Sequence, residues 1–100
     1  MKERRATPRV SVRFLVQHQS SPDEGFEVDY ATDLSRGGLF INTRKALPPQ
    51  STVHVQFAPA KDARLVSAFC RVTHVTPQGV GAQFVSLDED GARLIDATLN

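Results

Sequence analysis

One hundred residues, 40% hydrophobic and 23% charged, describe one ordinary soluble domain with room for a single core. No apolar run approaches the roughly 18 residues that a membrane-spanning helix needs. The charged opening Met1-Lys2-Glu3-Arg4-Arg5 has no apolar stretch behind it, which is unlike a secretory signal. The single cysteine, Cys70, excludes an internal disulfide, and its setting in Ala68-Phe69-Cys70-Arg71-Val72 reads as a buried, inert thiol. These features are those expected of a protein in a reducing cytoplasm.

The net charge of +1 hides an asymmetry. Residues 1–13 carry five basic side chains against Glu3 alone, a charge of +4, and residues 14–100 carry seven basic against ten acidic, a charge of −3. Duplex nucleic acid favours a broad basic face, because affinity grows with the number of phosphates neutralised. A short cationic segment on a mildly acidic body suits a small anion instead, or is a solvated basic tail.

In chain order, Arg4-Arg5-Ala6-Thr7-Pro8-Arg9 comes first. Pro8 disfavours helical geometry at Thr7, so this is an extended arm whose Arg5 and Arg9 lie up to about 13 Å apart. Arginine forks grip phosphate bidentately, meet the O6/N7 edge of guanine and stack on a base. Two arginines at this spacing also fit plain surface charge. Val10, Val12, Phe14 and Val16 then alternate with polar residues and predict a half-buried strand. After the loop Ser20–Gly25, a second alternation places Phe26, Val28 and Tyr30 on one face, with Glu27 and Asp29 between them.

Asp33-Leu34-Ser35-Arg36-Gly37-Gly38 interrupts that pattern before Leu39-Phe40-Ile41 resumes as a third strand. Asp33 and Ser35 can bond nearby backbone and the glycines allow positive φ, so a tight connection needs no ligand. The same residues offer a carboxylate for guanine N1–H and N2–H₂, a hydroxyl, and close backbone approach. Leu47-Pro48-Pro49-Gln50 forces a turn, and Val53, Val55 and Phe57 mark a fourth strand. The long run from Arg64 to Val75 has Val66, Ala68, Cys70 and Val72 on one side and Leu65 and Phe69 on the other, as if it bends or is covered on both faces. Val80, Ala82 and Phe84 line a last strand after Thr76-Pro77-Gln78-Gly79. Leu87, Gly91, Leu94, Ile95 and Leu99 then follow a helical stripe, with Ser86-Leu87-Asp88-Glu89 as a capping box.

Six short strands and one helix predict a mainly β fold: a six-stranded antiparallel β-barrel with a short C-terminal helix. The single domain divides into an arginine arm at 1–9, mobile without ligand, a barrel at 10–86 and a helix at 87–99. The helix is expected over one barrel opening or one sheet face. The aromatic residues Phe14, Phe26, Tyr30, Phe40, Phe57, Phe69 and Phe84 are expected mostly on the core side, which argues against an oligonucleotide-binding barrel with stacking platforms. His18, His54 and His74 sit on three separate strands without metal-ligand spacing, so no metal site is expected. Without a histidine near Asp33 and Ser35, or a cofactor motif, no catalytic residue is assigned and the chain is not expected to be an enzyme. Gly79-x-Gly81 is a strand feature, since no βα unit follows it.

Arg-Arg-x-x-x-Arg before the first strand, Asp-x-Ser-x-x-Gly between the next two, and Gly79-Val80-Gly81-Ala82-Gln83-Phe84 near the end together resemble the PilZ domain family. The resemblance covers nearly the whole chain and implies a bacterial receptor or adaptor for cyclic di-GMP, with no other cofactor. It implies ligand contacts at Arg5 and Arg9, at Arg4 as an extra arginine position, and at Asp33, Ser35 and Gly38 with Gly37 beside them. Output would pass to an unidentified effector protein, with no membrane insertion and no long nucleic acid. A PilZ-like adaptor that contacts protein without nucleotide is the alternative.

Overall fold

Alternating apolar residues close this chain into a ring of strands. A computed structural model describes residues 10–59 and 64–99, giving the backbone alone for Val10 and Ser11. The strands are β1 (Val10–Gln19), β2 (Glu27–Ser35), β3 (Gly38–Asn42), β4 (Thr52–Phe57), β5 (Val66–Thr76) and β6 (Gly79–Leu87), followed by helix α1 (Glu89–Leu99). All pairings are antiparallel, and the order β1-β2-β3-β6-β5-β4 closes on itself through β1 and β4. Closure gives each of the six described strands two paired neighbours.

Inward positions follow the predicted period of two. Val53, Val55 and Phe57 of β4, Val66, Ala68, Cys70 and Val72 of β5, and Val80 and Ala82 of β6 are all buried. Phe14, Phe57 and Phe84 stack through the core at centroid distances of 5.3 and 6.2 Å. Burial raises the Cys70 thiol to about 12, which keeps it protonated and unreactive as the sequence implied.

Strand β2 departs from expectation. Phe26, Val28 and Tyr30 face outward, with Phe26 39% and Tyr30 41% exposed, while Ala31 and Leu34 are buried. The inward neighbour of Ala31 is Asp29, whose carboxylate meets the wholly buried His18 at 2.8 Å. Alternation separates two faces without saying which one is inside, and the buried histidine claims Asp29 for the interior. A bulge between Ala31 and Asp33 then resets the register, so that Leu34 points inward. Strand β5 is not covered on both faces either: Leu65 and Phe69 are exposed, and the strand bends through register shifts at Phe69/Cys70 and Val72/His74.

Helix α1 touches β2 and β5. These strands lie three places apart in the ring, so the helix spans one mouth of the barrel. Ile95 is buried in the core, and Leu94 and Leu99 pack against it. The helix is capped by Asp88 rather than Ser86: the Asp88 carboxylate accepts from the Gly91 N–H at 2.6 Å. Strand β6 runs to Leu87, which keeps Ser86 in the ladder opposite Phe69 and leaves Asp88 as the first residue free to cap. At the other end of the barrel the β3–β4 connection buries Leu47 in the core.

Candidate functional site

Strand directions put the start of β1, the β2–β3 turn and α1 at the same end of the barrel. Val10 pairs with Leu34 and Ser11 with Asp33. The arginine segment therefore joins the barrel directly beside the Asp33–Gly38 motif. Arg4, Arg5 and Arg9 themselves lie outside the described residues.

Asp33 and Ser35 belong to β2, so the loop expected from Asp33 to Gly38 contracts to Arg36 and Gly37. Ser35 Oγ accepts from the Gly37 N–H at 3.2 Å and donates to the Gly38 carbonyl at 3.4 Å. The Gly37 carbonyl accepts from the Phe84 N–H at 2.8 Å, tying the turn to β6. Arg36 pairs with Asp96 of α1, which ties it to the helix as well. Among the described residues no glycine takes a left-handed φ, so the expected conformational reason is absent and, of Gly37 and Gly38, only Gly38 has a steric one. A Cβ on Gly38 would lie 2.1 Å from the Ala82 carbonyl oxygen, whereas one on Gly37 would meet nothing nearer than Ser35 Oγ at 3.9 Å.

Beside this turn runs an open groove of about 370 Å³, lined by Asp33, Ser35, Gly37 and Gly38 together with residues of β3, β5 and β6. Phe40, Thr73, His74, Gly81 and Gln83 complete it. Phe40 lies two residues from Gly38, but Thr73, His74, Gly81 and Gln83 are distant in sequence and join it only through the β3-β6-β5 order. Phe40 and Phe69 also correct the expectation that the aromatic residues lie on the core side: Phe40 points outward and is half-buried, and Phe69 is 49% exposed. Among the described lining residues there is a carboxylate, Asp33, but no lysine or arginine. The groove thus holds acceptors, small residues and ring faces, and positive charge for an anion must come from outside it.

A second groove of about 380 Å³ lies on β1 and β2, lined by Arg13, Glu27, Asp29, Tyr30, Arg44 and Lys45 among others. Its charges are largely used internally. The Arg13 guanidinium sits 4.2 Å over the Tyr30 ring, and Lys45 Nζ lies 3.0 Å from Glu27 and 3.4 Å from Glu24. The Glu27 hydrogen bond, reinforced by the charges of Glu24 and Glu27, raises the Lys45 pKa. Among the described residues no group of three or more His, Cys, Asp or Glu side chains could hold a metal, and no helix is long and apolar enough to cross a membrane.

A closed six-stranded barrel with a helix across one mouth and an open groove beside a two-residue turn has the architecture of a small binding domain. The sequence model of the PilZ domain matches residues 3–100, and the chain belongs to that family, one of cyclic di-GMP receptor and adaptor domains rather than enzymes. Its fold is similar to that of the Bacillus subtilis inhibitor of motility, MotI/DgrA, with a TM-score of 0.78 at 13% identity. That likeness covers 98% of this chain and 51% of the other, so the present chain spans about half the length of that protein. No curated protein matches the chain in sequence.

Proposed function

We propose that this domain is a cyclic di-GMP receptor in which the arginine arm and the Asp33–Gly38 motif grip one ligand from two sides. The observation that carries this reading is the pairing of Val10 and Ser11 with Leu34 and Asp33. It attaches residues 1–9, with a charge of +3, at the rim of a groove whose described lining has no lysine or arginine. Arg5 and Arg9, with Arg4 next to them, supply guanidinium forks for the phosphates and guanine edges. Asp33 accepts from guanine N1–H and N2–H₂, Ser35 adds a hydroxyl, and Gly37 and Gly38 admit the ligand close to the backbone. Binding draws the arm across the barrel face and changes the surface offered to an effector protein.

Calorimetric titration with cyclic di-GMP tests this. The wild type binds, and Arg5→Ala/Arg9→Ala weakens binding by about 100-fold or more, since each charge-assisted contact contributes about 1.5–3 kcal/mol. Cyclic di-AMP binds far less well, because its base offers no N1–H donor to Asp33. Equal binding by the wild type and the double variant contradicts the reading.

A further inference from the structure

We infer that His74 is the base-stacking platform of this groove, and that Gly81 is the residue that lets its ring lie flat; this rests on the cyclic di-GMP reading above. Gly81 of β6 is paired on one side with Phe40 of β3 and on the other with His74 of β5. It occupies an outward position, between Val80 and Ala82 which face the core, and yet it is buried. What covers it is the His74 imidazole. A Cβ on Gly81 would fall 2.2 Å from His74 Cε1, 2.6 Å from Nδ1 and 2.9 Å from Nε2.

The ring is held there by a local irregularity in β5. The register shifts between Val72 and His74, and such a bulge re-aims the side chains that flank it. Thr73 Oγ1 donates to the Gly81 carbonyl at 3.2 Å and lies 3.4 Å from His74 Nδ1, so the bulge fastens the backbone beside the ring. Phe40 braces it from the β3 side, with centroids 6.1 Å apart and planes at 37°. One ring face is therefore set against glycine, while the residue as a whole remains exposed and lines the groove with Asp33 and Ser35.

A fixed, exposed π-surface beside a carboxylate is what a purine base requires: stacking on its face and hydrogen bonding at its edge. With Asp33 engaging the guanine edge, His74 takes the guanine face. Covering a strand glycine with an aromatic ring also serves the sheet by itself, so the test must separate covering from stacking. His74→Ile retains a bulky strand-favouring side chain over Gly81 and removes the π-face, whereas His74→Phe retains both.

Calorimetry with cyclic di-GMP, with thermal melts of each variant, reads the difference. His74→Phe binds within about twofold of the wild type, and His74→Ile loses about tenfold while melting at a similar temperature. The ligand's guanine H8 proton shifts upfield on the wild type and on His74→Phe, through the ring current, and much less on His74→Ile. Unchanged affinity and H8 shift in His74→Ile overturn the stacking role. Equal losses in both variants overturn it too, and assign the imidazole nitrogens a polar contact instead. Absence of wild-type binding overturns the receptor reading itself, a result distinct from arginine-dependent binding that is indifferent to His74.

Discussion

The two grooves on this barrel have nearly the same volume, about 370 and 380 Å³, and opposite chemistry. In the groove on β1 and β2, cations and carboxylates face each other and satisfy one another: Lys45 with Glu24 and Glu27, Arg13 with the Tyr30 ring. In the groove beside the β2–β3 turn, backbone, a hydroxyl, ring faces and Asp33 line a surface with no described lysine or arginine. Volume alone therefore does not find the site. An anionic ligand needs cations, and where the described lining holds no lysine or arginine they must arrive on an adjacent segment. In the proposed function that segment is residues 1–9, which precede the Val10–Leu34 pairing.

The largest effect expected from breaking this comparison falls on the turn. Gly38→Ala forces a Cβ against the Ala82 carbonyl, so it costs about 2–4 kcal/mol and lowers the melting temperature by more than about 10 °C. Gly37→Ala, one residue away, changes stability by no more than about 0.5 kcal/mol, because no atom crowds the new methyl group. Thermal melts of the two variants side by side check both outcomes.

A smaller effect falls on the helix that shares this end of the barrel. Asp88→Ala removes the acceptor for the Gly91 N–H and costs about 1 kcal/mol in a denaturant titration. Ser86→Ala, which alters the residue that sequence alone suggests as the cap, costs less than about 0.5 kcal/mol.

The smallest effect belongs to the other groove. Arg13→Ala loses at most about 1 kcal/mol of stability with the cation–π contact and leaves cyclic di-GMP affinity unchanged, as calorimetry will report. Lys45→Ala likewise leaves affinity unchanged. The folded-state pKa of Lys45 is raised above its ordinary 10.5, so its ion pairs contribute fully at neutral pH and are lost only as the pH climbs past that value.

The barrel was legible in the sequence because a period of two with polar partners is what a one-sided strand requires, and β4 and the first seven residues of β5 follow it closely. Strand β2 shows where that signal ends. Phe26, Val28 and Tyr30 form the more apolar face and are nevertheless outside, because His18 and Asp29 hold one another inside the ring. Periodicity carries no information about such a pair. The motif residues Asp33, Ser35 and Gly38 were legible as a group, and the structure brings them to one groove. Phe40, His74 and Gly81 were not, since only the strand order places β3, β6 and β5 side by side. Gly81 was recognisable as a strand glycine, but its partner was not, because the bulge that aims His74 at it has no mark in the sequence.

Amide chemical-shift mapping on ¹⁵N-labelled protein tests the central claim most directly, that the arm and the turn form two halves of one guanine site. On titration with cyclic di-GMP, concerted shifts are expected at Val10, Ser11, the Asp33–Gly38 turn, His74 and Gly81, saturating with a single affinity, while Arg13, Arg44 and Lys45 stay unmoved. Shifts centred on the Arg13–Lys45 groove, or shifts at the turn without any at Val10 and Ser11, would contradict it.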